Sequence, residues 1–221
     1  MRKKTAKRKN EGFTLVELIV VLVILAILAA ILVPALLGYI DRARTKQDML
    51  DAKSCMTAVQ AQMAEMYATR PQIDTSLTGA QIRANYCAIN GYFASNSGSG
   101  KNTGDIDVYK TDYAKPVFQT AGCDPITFIV GMGDFSVYAK TEIHKCYTVY
   151  LAAYWSKWQN KPIFFDGTKW TTTYPWKGDG QNTFNGVSLE MYIYAIGNSK
   201  GNSWSNSDQM WKKLKEAANR K

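Results

Sequence analysis

Residues 18–37 form an unbroken apolar run, LIVVLVILAILAAILVPALL, twenty positions without one charge. At about 1.5 Å of rise per residue a helix of that length crosses a hydrocarbon core about 30 Å thick, so the pattern predicts a membrane-spanning helix. Beyond Tyr39 the helical period continues but becomes one-sided. Met49, Ala52, Met56, Val59, Met63 and Met66 recur at spacings of three and four and form a single stripe, on which a second layer must pack. The methionines in it read as core filler. Pro71 disfavours helical geometry in the residue before it, so the helix is expected to stop at Arg70. Straight, the stretch from Thr14 to Thr69 would measure about 84 Å, and Cys55 beside the stripe is placed to tether it to the layer that covers it.

Residues 71–125 carry no comparable period and read as an irregular connector, with the tract SNSGSGKNTG at 95–104 in its middle. Strand patterns follow at 126–130 and 135–139, both rich in β-branched or aromatic side chains; 146–154 fits strand or helix. A hairpin is expected from 162–165 and 168–174 about Asp166-Gly167, a pair suited to a type I′ turn. In 187–195, Val187, Leu189, Met191, Ile193 and Ala195 alternate with Ser188, Glu190, Tyr192 and Tyr194, the signature of a strand with one more apolar face. A short helix at 207–219 closes the chain. These elements predict an α+β protein in which one long N-terminal helix lies against an antiparallel sheet.

Charge changes the picture only when divided along the chain. The formal +9 suggests a nucleic-acid binder, but residues 1–12 hold six basic side chains against Glu11, a local +5. The remainder carries +4 in 209 residues, ordinary for a folded surface, so nothing in the charge asks for nucleic acid. Arg2, Lys3, Lys4, Lys7, Arg8 and Lys9 stand directly before the apolar run, whereas Asp41, Arg42, Arg44, Lys46, Asp48 and Asp51 nearly cancel beyond it. The positive-inside rule then puts the long C-terminal part outside. A secretory signal shares the basic start but has an apolar core of about 7 to 15 residues and a small-residue cleavage site, and neither fits. Cys55, Cys87, Cys123 and Cys146 all fall on the outer side, where an even count suggests two disulfides with three possible connectivities. Four reduced, buried thiols are the alternative.

Glu17 is the unexpected residue, a carboxylate at the edge of the apolar run where charge is costly. It can snorkel to the headgroups and gain from the helix N-terminal dipole. The string around it says more. KRKNEGFTLVE at 7–17, followed by the apolar run with Pro34 inside it, closely resembles the N-terminus of type IV prepilins and the related pseudopilins, over residues 7–39. That resemblance implies a leader, 1–12, removed by a prepilin peptidase that cuts after Gly12, and an N-methylated Phe13 as the new terminus. It also implies that Glu17 offsets the terminal amine of Phe13 on a neighbouring subunit and on its own, a pair of opposite buried charges that fixes register between helices. Pro34 lacks an amide hydrogen and crowds the carbonyl of Ala30, so a kink or local loosening is expected there. In the family an upstream glycine often assists; here Ala26, Ala29 and Ala30 stand instead.

The C-terminal part offers no catalytic constellation: no nucleophile with its base, no carboxylate pair, no metal-ligand spacing, and His144 as the sole histidine. No enzyme activity, cofactor or metal is expected. Asp105, Asp107 and Asp179 could offer oxygens to calcium but match no binding-loop spacing and read as solvated loop acids. Trp155, Trp158, Trp170, Tyr174, Trp176, Trp204 and Trp211 read first as core or interface, second as platforms for sugars or bases. Lys212, Lys213, Lys215, Arg220 and Lys221 read as a solvated helix face. The expected layout is a leader (1–12), a filament-core helix (13–38), its amphipathic continuation (39–70) and a head (71–221). The expected function is structural: a pilin-like subunit held in the cytoplasmic membrane with its head outside, then drawn by assembly-platform proteins into a homo-oligomeric helical surface filament for adhesion or motility. A pseudopilin of a type II secretion or DNA-uptake system, and a membrane-anchored carbohydrate-binding module, are the alternatives.

Overall fold

Twenty charge-free positions and an amphipathic stripe behind them do form one continuous helix. The computed structural model describes residues 13–79, 81–82, 114–158, 161–176, 183–195 and 207–219, and in it helix α1 runs Leu15–Thr69. It continues through Pro34 as unbroken α-helix and ends one residue before Arg70, where Pro71 stops it. The chain divides into two units, Met1–Ala43 and Arg44–Lys221. In the first, every residue from Phe13 to Tyr39 is exposed, large apolar side chains among them.

The second unit has three layers. Its sheet has six antiparallel strands in the order β4-β3-β2-β1-β6-β5: β1 Thr127–Gly133, β2 Val149–Trp155, β3 Ile163–Phe165, β4 Trp170–Thr171, β5 Thr183–Phe184 and β6 Val187–Ala195. Successive side chains on a strand point to opposite faces, and both faces here are covered. Phe128, Val130 and Met132 of β1, Ala152 and Tyr154 of β2, and Tyr192 and Tyr194 of β6 join Ala52, Cys55, Val59 and Met63 of α1 in one core. The residues between them, Ile129, Leu151, Ala153, Leu189 and Met191, form a second core with Leu214 and Ala218 of the last helix, Ser207–Ala218. All seven residues of β1, the strand between β2 and β6, are buried. The expected stripe on α1 is the packed face, with Met49, Met56 and Met66 half-buried at its margin. On β6 both faces are covered: Leu189 and Met191 of the more apolar face join the second core, and the tyrosine face meets α1.

Other local expectations are also corrected. The connector contains helix α2, Ala114–Ala121, whose Pro116 sits in the first turn, where a missing amide costs nothing. Val117 and Phe118, its buried residues among those described, are adjacent and reveal no period. Residues 135–139 are not a strand: Phe135–Tyr138 is a short helix, α3, because the Asp134 side chain caps it by accepting from the Ser136 amide (2.8 Å). Residues 146–154 split between a 3₁₀ turn, Ile143–Tyr147, and β2. The last helix, here α4, is where the pattern put it.

The β3–β4 hairpin forms, but around four residues rather than a two-residue type I′ turn. Phe165 pairs with Trp170, and Asp166 Oδ1 accepts from the amides of Thr168 and Lys169 (both 2.9 Å) and from the Thr168 hydroxyl (2.7 Å). A two-residue type I′ turn occurs instead at Asn185-Gly186, with φ of 49° and 78°, joining β5 to β6. The tract 95–104 lies outside the described residues.

Candidate processing and assembly segment

At the start of α1 the sequence Thr14-Leu15-Val16-Glu17 closes a capping box. The amide and hydroxyl of Thr14 donate to Glu17 Oε2 (2.8 and 2.7 Å), and the Glu17 amide donates back to the Thr14 hydroxyl at 3.3 Å. A free helix N-terminus presents unsatisfied amides and a partial positive charge; this arrangement answers both with one short side chain and one carboxylate. Glu17 is thus fixed at the helix entrance by local chemistry, and its Oε1 takes no hydrogen bond among the described residues. Phe13, directly before the box, is 88% exposed. From there to Tyr39 the helix shows Leu, Ile and Val on all sides, a surface that water does not tolerate and lipid or a second apolar helix does.

Farther along the same helix, inside the second unit, three contacts hold α1 to the rest of that unit. The Ser156 hydroxyl donates to Asp48 Oδ2 (3.0 Å), both residues being buried. Burial pushes the Asp48 carboxyl above its ordinary range; the Ser156 hydrogen bond opposes this, and the charge of Asp51 adds to it. Cys55 forms a disulfide with Cys123, which follows α2. Gln60 completes the set like a short piece of strand: its Nε2 donates to the Tyr147 carbonyl (2.8 Å) and its Oε1 accepts from the Val149 amide (3.0 Å). Neither the Asp48 nor the Gln60 contact was foreseen, since their partners lie 108 and 87 to 89 residues away.

Of the four cysteines, Cys55 and Cys123 pair; Cys146 is buried, with its Sγ 3.8 Å from the Asp134 carbonyl; Cys87 lies outside the described residues. Asp105, Asp107, Asp179 and Trp204 lie outside them as well, as do Arg220 and Lys221. Among the described residues no three His, Cys, Asp or Glu side chains gather as metal ligands. The aromatic residues mostly pack on one another: Trp170 on Phe165 (5.6 Å between centroids), Trp176 on Phe164 and Tyr174 (5.5 and 5.3 Å). Trp158 differs, at 80% exposed.

The family model for the prokaryotic N-terminal methylation motif matches residues 7–33. This stretch, the type IV prepilin signature, takes in the capping box and most of the apolar run. Compared with curated proteins and with solved structures, the chain finds no match. The signature and the apolar helix together support anchoring in a membrane ahead of assembly into an extracellular filament.

Proposed function

We propose that this protein is a type IV pilin-like structural subunit, cut after Gly12, methylated on Phe13 and assembled through α1 into a surface filament. One observation carries the reading: the methylation motif coincides with an apolar helix whose side chains from Phe13 to Tyr39 have no packing partner among the described residues. Apolar surface of that extent needs a partner. Lipid supplies it before assembly, and the same helix of neighbouring copies afterwards.

Glu17 has a part in both states. In the membrane the capping box keeps its carboxylate at the helix entrance, hydrogen-bonded to Thr14. In the filament its Oε1 accepts the amine of Phe13 from the adjoining copy, so that each charge meets an opposite one where water is absent. The basic residues before Gly12 stay on the cytoplasmic side with the prepilin peptidase, and the C-terminal unit faces outward. Pro34 leaves the Ala30 carbonyl without its helical donor, a point at which the core helix can loosen under load.

The deciding experiment shears cells, collects the filament fraction and measures the intact mass and N-terminal peptide of this protein. Abundant protein beginning at methylated Phe13 is the expected result. Processed protein retained in the membrane would point to a pseudopilus subunit, and an intact leader would overturn the assignment.

A further inference from the structure

The Cys55–Cys123 disulfide spans 68 positions of sequence and joins the stripe of α1 to the segment that leads into β1. Its place among the α1 contacts is specific. Counted from the N-terminal side, the buried residues of α1 are Asp48, Ala52, Cys55, Ala58, Val59 and Met63. Tension that peels α1 away from that side therefore frees Asp48 and Ala52 first and then meets a covalent bond. The bond hands the load to Cys123, four residues before Thr127, where the fully buried strand β1 begins. Ala58, Val59, Met63 and the Gln60 bridge lie behind it.

We propose that this disulfide is a force shunt: while it is intact, residues 56–122 never enter the tensioned path between the N-terminal helix and the central strand. The source of the tension rests on the filament reading above; the topology of the shunt does not. The shielded chain includes the last turns of α1, all of α2 and the connector as far as residue 122, so a subunit under load can lengthen only outside them. At about 3.3 to 3.6 Å per extended residue the withheld length is about 230 Å.

Optical-tweezers extension of the full-length protein in detergent, with handles at the two chain ends, tests this directly. Without reductant, the unfolded contour should fall about 230 Å short of the full chain. Dithiothreitol, added once the chain is unfolded, should release that length as two electrons and two protons pass from its thiols to the two cysteine sulfurs. An unfolded chain that reaches full length before reduction, or gains nothing from it, overturns the proposal. Non-reducing peptide mapping is the second readout: a peptide joining Cys55 to Cys123 is expected, and either cysteine paired elsewhere overturns it. Because single chains are read, a protein that never enters a filament can still show the release, and a filament subunit can lack it.

Discussion

Two carboxylates on the same helix meet opposite surroundings, and their substitution should have opposite consequences. Glu17 is exposed and answered by Thr14, so Glu17→Ala should leave cleavage after Gly12 intact while reducing filament yield by at least tenfold; normal filament yield in the sheared fraction would remove it from the interface. Asp48 is buried, and the folded protein holds its proton more tightly than the unfolded chain does. The sign follows: this residue stabilises the fold in acid and loses that contribution as pH rises from the ordinary aspartate range through its raised folded-state value. Asp48→Asn keeps an acceptor for Ser156 and removes the buried charge, so its Tm should exceed that of the wild type by a few degrees at neutral pH and approach it in acid. Asp74 and Asp166, held below the usual range first by the side-chain hydroxyls of Ser76 and Thr168, work in the opposite sense in both proteins. The comparison at each pH cancels them. Thermal melts from pH 4 to 8 decide the matter, and parallel curves would rule out titration at Asp48.

At the scale of elements, legibility depended on how many residues carried each signal. The α1 stripe, the stop at Pro71 and the alternation in β6 each rest on a repeating pattern or a backbone restriction, and each is present in the fold. The prepilin signature was legible too, since its residues are contiguous. Helix α3 was not legible because Phe135, Val137 and Tyr138 favour strands by type, and one capping side chain, Asp134, overrides them. Asp134→Ala should therefore cost about 1 kcal/mol, within the range for lost caps, in chemical denaturation. An unchanged midpoint would mean that packing of Phe135 and Tyr138 alone holds the turn. The Asn185-Gly186 turn did carry a recognised signal, but the strand before it has only two residues and no pattern of its own. Asp48–Ser156 and Gln60 with the start of β2 are pairings between distant segments, which no local period encodes.

For the molecule as a whole, the C-terminal unit is a sheet held between two helices, and it is covalently closed on the α1 side. Closing a loop of this size restricts the unfolded chain, so Cys55→Ser with Cys123→Ser should lower stability by about 2 to 4 kcal/mol in denaturant titration. A loss below about 0.5 kcal/mol would show that the unfolded chain gains little freedom from the cut. Among the described residues the sheet ends, on one side in β4 and on the other in β5, with strands of two residues each. A longer bare edge would offer a neighbouring copy a row of amides and carbonyls to pair with. In the filament proposed above, C-terminal units displayed side by side would meet one another far more often than molecules in dilute solution. Edges as short as those among the described residues would let such a surface be crowded without its units fusing strand to strand.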